Sequence, residues 1–151
     1  MDTHDTEVIT VDKFCRMGTR RYVPAVWVEF HVDMSVGDRI EYGLPYRRRC
    51  MYDSGADVGV ALPLSAARNL GVRAEDMSEI EIGSVQGTTR AMSVPIMVTA
   101  IRQSGGNILH SPLQSSLVFV NNKHQTNLAG CDLFRNHTVI VDYSTKKFLV
   151  I

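Results

Sequence analysis

The chain lacks the features that mark disulfide-rich, metal-binding and membrane-spanning proteins. Its 151 residues include three cysteines, at positions 15, 50 and 131, and no C-x-x-C pair. This spacing suggests neither a zinc site nor a disulfide framework, and it is typical of a reducing compartment. No apolar run approaches the length of a membrane span, and the first ten residues contain no signal-like apolar segment. The sequence therefore predicts a soluble, cytoplasmic protein, unless it is a segment cut from a longer polyprotein.

The chain also lacks an excess of charge of either sign. Lys and Arg together number 16, as do Asp and Glu, so the formal net charge is +0. Nothing therefore steers the protein toward phosphates, and the single basic run, residues 47–49, is typical of the solvated flank of a strand. Aromatic and basic residues do not interleave, and the histidines have no metal-ligand spacing. We expect no nucleic-acid partner, no membrane partner, no metal and no cofactor.

What the chain does contain is a pattern of short strands. Apolar residues make up 44% of the sequence, which suits one compact domain. Val26, Val28, Phe30 and Val32 alternate with polar or amphipathic residues at the period of two that half-buried strands show. Further strands are predicted over residues 48–52, 58–62, 79–82, 92–101, 117–120, 138–143 and 148–151.

Turns and two short helices separate these strands. Ser65 is a candidate helix N-cap and Gly71 a candidate C-terminal residue of positive φ, and a second short helix is predicted after Gly130. Residues 39–45 are predicted to form an irregular hairpin connection. The pattern predicts an all-β fold, a small closed or sandwich-like β structure with accessory helices. We expect residues 1–21 to form an N-terminal tail or one extra strand, and residues 22–151 to form the domain.

The tetrapeptide Asp53-Ser54-Gly55-Ala56 lies between two predicted strands. This setting predicts a buried carboxylate on a tight turn. The glycine lets the backbone pass close to a partner, and the serine hydroxyl can hydrogen-bond main chain that water does not reach. By itself the tetrapeptide is a weak signal, so its meaning depends on the remainder of the chain.

Several short sequence motifs come after the tetrapeptide. In the order and spacing of these motifs, the chain resembles the retroviral-type (retropepsin-like) aspartic protease domains. Its C-terminal part especially resembles those of retrotransposon polyproteins and of the DNA-damage-inducible ubiquitin-shuttle proteins. The resemblance runs from about Val23 to the C-terminus, and it implies a small closed acid-protease β-barrel acting on peptides. The matched residues are Asp53 to Asp57, then Pro63, Ala66, Leu70 and Gly71, then Gly130 to Leu133, Val141 to Tyr143 and Phe148 to Ile151.

Aspartic proteolysis needs two carboxylates that share one proton. Only Asp53 lies in an Asp-Ser-Gly setting, and the chain is too short for a two-lobed enzyme. We therefore expect a C2 homodimer in which two symmetry-related Asp53 carboxylates activate water to cleave an extended peptide. Asp142 is the rival within one chain, but no Ser/Thr-Gly comes after it, which favours a solvated strand or turn residue.

The resemblance assigns roles to individual residues. Asp53, Ser54 and Gly55 take catalytic positions, with the Ser54 hydroxyl bonding the partner loop and Gly55 close to substrate. Ala56 and Asp57 are expected to bind substrate, although turn capping is an equally good interpretation of Asp57. The expected flap, for which an ordinary hairpin tip is the alternative, comprises Gly83, Ser84, Val85, Gln86 and Gly87.

One departure from the viral pattern comes directly after Gly130. Viral enzymes often carry Arg-Asn at this point, whereas this chain has Cys131-Asp132, closer to the cellular pattern. The change removes a possible ion pair to Asp57, and Cys131 is predicted to be a buried small side chain. A catalytically inactive retropepsin-like module for dimerisation or peptide binding therefore stands beside the enzyme as the alternative function.

Overall fold

The computed structural model describes residues 10–17, 21–36, 39–42, 45–84, 87–104, 106–120 and 126–151, and strands dominate them. Helical structure in this part of the chain is limited to α1 (Ala66–Asn69) and two 3-10 turns, Ala74–Asp76 and Cys131–Phe134. The strands are β1 (Thr10–Lys13), β2 (Cys15–Met17), β3 (Arg21–Val23), β4 (Ala25–Val36), β5 (Arg39–Tyr42), β6 (Tyr46–Asp53), β7 (Val60–Pro63), β8 (Ser78–Ser84), β9 (Gly87–Gln103), β10 (Gly106–Asn107), β11 (Leu113–Val120), β12 (Leu128–Gly130), β13 (Val139–Asp142) and β14 (Lys147–Val150).

Six strands close into a barrel. Neighbouring strands adopt the order β9-β11-β7-β12-β6-β4, and β4 pairs again with β9, which closes the ring. Within this ring β12 runs parallel to β6 and antiparallel to β7, so a strand from late in the chain separates two strands that are close in sequence. The predicted all-β closed barrel is confirmed.

Alternate residues of the strands fill the barrel interior. Val28, Phe30 and Val32 are 0% exposed and Val26 is 2% exposed, whereas Trp27 between them is 36% exposed. Successive side chains of a strand point to opposite faces, so this pattern confirms the predicted period of two in β4. The core continues through Leu62, Ile96, Leu117, Leu133 and Phe148.

The beginning and the end of the chain share a separate sheet of order β1-β14-β13. Phe148 and Val150 of this sheet are buried in the core, whereas Ile140 is 50% exposed and Ile151, just past β14, is 48% exposed. β1 and β2 lie within residues 1–21, and the boundary between that segment and the domain stays a prediction.

The two predicted helices are shorter than expected. α1 covers four residues, and Ser65 has helical dihedrals and makes no side-chain capping hydrogen bond. Gly71, with φ of 67°, is the predicted left-handed residue after the helix. The chain after Gly130 makes only a 3-10 turn, because this segment is bonded to a neighbouring loop through its N–H groups.

Candidate functional site

Asp53 is the last residue of β6, and residues 54–59, here called the site loop, lead from it to β7. Asp53 is half-buried, so the prediction that its carboxylate is buried is wrong. Ser54 and Gly55 are exposed. The Gly55 N–H donates to Asp53 Oδ1 at 2.9 Å, and the Ala56 N–H donates to the Asp53 carbonyl at 3.2 Å. The loop therefore folds back on the carboxylate and fixes one of its oxygens.

A second segment holds the site loop from behind. Gly130 lies opposite Asp53 in the parallel pairing of β12 with β6. Three consecutive N–H groups, those of residues 130–132, donate to carbonyls of the site loop. The bonds are Gly130 N–H to Gly59 O at 2.7 Å, Cys131 N–H to Ala56 O at 2.9 Å, and Asp132 N–H to Val58 O at 3.3 Å.

This close approach explains the glycine at position 130. A Cβ at Gly130 would collide with Val58 O and lie 2.7 Å from Ala56 O, both of them backbone atoms. Ordinary Cβ contacts begin at 3.4 Å, so a side chain here would force the two backbone segments apart. The sequence match of Gly130 thus has a steric reason in this structure.

The side chain of Asp132 ties this segment to β11. Ser115 Oγ donates to Asp132 Oδ2 at 2.6 Å, and Arg135 Nη1 lies 3.0 Å from Oδ1 and 3.1 Å from Oδ2. Arg135 Nη2 also donates to Gln114 O at 3.0 Å. We call these three side chains, Ser115, Asp132 and Arg135, the clamp.

Sequence reasoning missed two members of the clamp. The family resemblance includes Asp132, but nothing in the sequence pattern pointed to Ser115 or Arg135. The available signal was the i,i+3 spacing of Asp132 and Arg135 directly after Gly130. Because residues 114–116 are polar, the sequence predicts a strand that begins at Leu117. The strand β11 in fact begins at Leu113, so Ser115 lies within it.

Asp57 is exposed on the site loop, and its described side-chain partner is a thiol. Cys131 Sγ lies 3.7 Å from Asp57 Oδ1, a distance typical of a weak sulfur hydrogen bond. Burial, and after it the Asp57 carboxylate, raises the pKa of Cys131, which keeps the thiol protonated. Cys131 is half-buried, so the prediction of a buried side chain is wrong.

A cavity of about 420 Å³ opens beside Asp57. Its lining includes Tyr52 and Phe134, whose rings meet edge to face at a centroid distance of 5.2 Å. Burial is also the main cause that raises the pKa of Tyr52. The lining residues are Tyr52, Asp57, Cys131, Asp132, Phe134, Arg135, His137 and Val139.

The predicted flap falls on the β8–β9 hairpin. Ser84 pairs with Gly87 across the two strands, and Gly83 and Gly87 are exposed. Gly87 has φ of 118°, a conformation that favours glycine. Val85 and Gln86 lie outside the described residues. The hairpin is present, and its function as a flap stays a prediction, as do the roles of Ser54, Gly55 and Ala56.

The rival carboxylate Asp142 has a local structural role. Its Oδ1 accepts hydrogen bonds from the Ser144 N–H at 3.0 Å, the Ser144 hydroxyl at 2.6 Å and the Thr145 N–H at 3.2 Å. These bonds lower the pKa of Asp142 from its ordinary 3.8 to about 2. Asp142 therefore caps the turn between β13 and β14, as the solvated-turn interpretation expects.

Two further properties concern metals and membranes. Among the residues that the structure describes, no group of three or more His, Cys, Asp or Glu side chains is arranged to hold a metal ion. Of the helices in those same ranges, none combines the length and the apolar character that crossing a membrane would require.

Of the comparisons with known proteins, the comparison of structures finds a match. No family model matches the sequence, and no curated protein matches it. A solved structure does match, a crystal structure of a retropepsin-like aspartic protease from Rickettsia conorii. The TM-score is 0.51 at 14% identity, covering 99% of this chain and 96% of that chain. At this identity the similarity shows the fold, a retropepsin-like β-barrel.

Proposed function

We propose that this retropepsin-like barrel is an aspartic endopeptidase that acts as a C2 homodimer. The position of Asp53 carries the proposal: the carboxylate ends β6 on an exposed loop and is oriented by the Gly55 N–H. The N–H groups of residues 130–132 hold the site loop through hydrogen bonds to its carbonyls. One copy supplies one such carboxylate, and the chemistry needs two, so a second copy completes the site.

Two Asp53 carboxylates facing each other across the two-fold axis would share one proton. Two carboxyl groups at hydrogen-bond distance repel each other when both are ionised, so one of them stays protonated. The ionised carboxylate removes a proton from water, whose oxygen bonds to the scissile carbonyl carbon, while the protonated one donates to the carbonyl oxygen. The tetrahedral gem-diol then collapses: the carboxyl that took the water proton passes it to the leaving nitrogen, the other carboxylate takes back a hydroxyl proton, and the C–N bond breaks.

The surface of a single copy is compatible with this association. Ser54 and Gly55 are exposed at the tip of the site loop, where the Ser54 hydroxyl can bond backbone of a partner loop. Ile140, Tyr143 and Ile151 are 50%, 72% and 48% exposed, which is apolar surface that dimerisation can remove from water.

The substrate in this proposal is an extended, largely hydrophobic peptide. Ala56 and Asp57 border the position of Asp53 on the site loop and would contact the peptide main chain. The β8–β9 hairpin would close over the peptide and exclude water. The hairpin residues proposed for this role are Gly83, Ser84, Val85, Gln86 and Gly87.

Peptide cleavage by matched variants tests the proposal. Wild type, Asp53→Asn and Asp142→Asn are incubated with a peptide library at several pH values between about pH 4 and pH 7. We expect cleavage by wild type and by Asp142→Asn and none by Asp53→Asn. Sedimentation should show a dimer for all three proteins.

Two results would contradict the proposal. Cleavage by Asp53→Asn at the wild-type rate would remove Asp53 from the chemistry, and a strictly monomeric protein would remove the shared dyad. Dimers that bind peptides without cleaving them would instead identify the alternative, a catalytically inactive module for dimerisation or peptide binding.

A further inference from the structure

We propose that Asp132 is a positioning residue for the site loop, and that Ser115 and Arg135 fix it in place. The inference rests on the proposed proteolytic function of Asp53. It assigns to the clamp a part in catalysis that it performs without touching substrate. Ser115 and Arg135 approach the two carboxylate oxygens of Asp132 at 2.6 to 3.1 Å, so the carboxylate has one orientation.

The clamp acts on the site loop through the backbone. Asp132 ends the run of three N–H groups that hold the carbonyls of residues 56, 58 and 59, and its own bond, to Val58 O, is the longest at 3.3 Å. That bond is the one most easily lost if Asp132 moves. The Gly55 N–H that orients Asp53 Oδ1 belongs to the same loop. A displacement of Asp132 would therefore move the loop and change the orientation of the Asp53 carboxylate.

Ser115 also contacts the site loop directly. A Cβ at Gly59 would collide with Ser115 Oγ, so the serine hydroxyl occupies the space that a side chain at Gly59 would need. The same hydroxyl donates to Asp132 Oδ2. Ser115 thus touches the loop on one side and the clamp carboxylate on the other, and it joins both to β11.

The exposure of the clamp argues that it contributes orientation more than stability. The Asp132 and Arg135 side chains are 33% and 43% exposed, and an ion pair so open to water contributes little to folding. A carboxylate held by a guanidinium and a short hydroxyl bond is nevertheless closely fixed in direction. Arg135 adds a bond to Gln114 O, which anchors the clamp to strand backbone.

The test compares the clamp with an ion pair of the same sequence spacing elsewhere in the chain. Arg73 and Asp76 have the same i,i+3 spacing, with an N–O distance of 3.1 Å, around the other 3-10 turn.

The variants are Ser115→Ala, Asp132→Asn, Arg135→Ala and Arg135→Lys in the clamp. The controls are Asp76→Asn and Ser116→Ala, the latter on the opposite face of β11 by strand alternation.

Small displacements of catalytic groups are costly, up to about 100-fold for 1 Å, so we expect kcat to fall about 10-fold or more in Ser115→Ala and Asp132→Asn. KM should stay within about twofold, because the clamp does not touch substrate. Arg135→Lys keeps the charge and should recover part of the loss relative to Arg135→Ala. Both controls should keep wild-type kcat.

A second measurement works whether or not the protein cleaves peptides. Amide hydrogen exchange at residues 130–132 should accelerate in Ser115→Ala and Asp132→Asn, and it should not change in Asp76→Asn. An inactive wild type would overturn the proposed function, and the exchange rates would still decide whether the clamp holds the loop.

The inference is overturned if folded Ser115→Ala keeps wild-type kcat, or if exchange at residues 130–132 is unchanged in it. It is also overturned if the losses of Ser115→Ala and Asp132→Asn multiply fully in the double variant, because a shared clamp predicts a smaller combined loss. If Asp132→Asn does not fold, Ser115→Ala and Arg135→Lys carry the test.

Discussion

Replacing Gly130 by alanine tests the closest backbone approach in the site. The new Cβ would collide with Val58 O and would lie 2.7 Å from Ala56 O, where 3.4 Å is ordinary. The Ala56 carbonyl must therefore retreat by about 0.7 Å, because protein interiors leave no slack for an added methyl group. That retreat stretches the Cys131 N–H bond to Ala56 O, now 2.9 Å, beyond normal hydrogen-bond length.

These changes convert into a measurable free energy. Overpacking costs about 1–3 kcal/mol, and each weakened hydrogen bond of the loop adds about 0.5–1.5 kcal/mol. We expect Gly130→Ala to lower the free energy of unfolding by about 2–5 kcal/mol. Urea unfolding, monitored by fluorescence of the single tryptophan, Trp27, measures the loss. With a slope of about 2 kcal/mol/M, the midpoint should fall by about 1 M or more.

Gly83→Ala is the matched control for this prediction. Gly83 is exposed, and among the described residues other than its chain neighbours no atom lies within 4 Å of the position of its missing Cβ. Alanine there should therefore be neutral or slightly stabilising. The two proteins are compared at equal concentration, because a dimer unfolds in a concentration-dependent way. Equal midpoints for Gly130→Ala and Gly83→Ala would refute the steric argument and, with it, the tight seating of the site loop.

Two further predictions concern titrating groups. Because the pKa of Asp142 falls from 3.8 to about 2 on folding, its contribution to stability is full above about pH 4 and is lost as the pH falls toward 2. Thermal melts of wild type and Asp142→Asn between about pH 2 and pH 5 should therefore converge at the acid end, and a constant difference would contradict the bonds from Ser144 and Thr145. Because the Asp57 carboxylate helps to raise the pKa of Cys131, Asp57→Asn should speed alkylation of Cys131 by iodoacetamide at about pH 8, measured by mass spectrometry; an unchanged rate would show that the two groups do not interact.

The sequence predicts those parts of the fold whose local pattern is strong. The alternation of Val26, Val28, Phe30 and Val32 identifies β4, because a half-buried strand has no other way to face its core. Over residues 39–45 the sequence predicts an irregular connection, yet Arg39–Tyr42 pairs with the end of β4 as β5. That pairing is a tertiary event, and the glycine and proline in the segment point away from a strand.

The sequence predicts functional positions at Asp53 and Gly130, but it does not predict that the two residues pair across β6 and β12. The three-residue strand β12 is too short to show any periodicity, and its place between β6 and β7 is set by pairing across the whole domain. The clamp escapes sequence reasoning for a similar cause. Ser115 and Asp132 are 17 positions apart, and no local pattern connects a strand serine to a turn carboxylate.

Because β12 lies between β6 and β7, the site loop acquires its supporting contacts late in the synthesis of the chain. The contact between Cys131 and Asp57 spans 74 positions, so the site loop emerges from the ribosome long before the segment that seats it. Domains tend to fold as whole units, and contacts distant in sequence form late. A nascent chain that ends before residue 132 contains Asp53 but lacks the support for its loop. The order of synthesis thus delays the seating of the site loop until residues 130–132 have emerged from the ribosome.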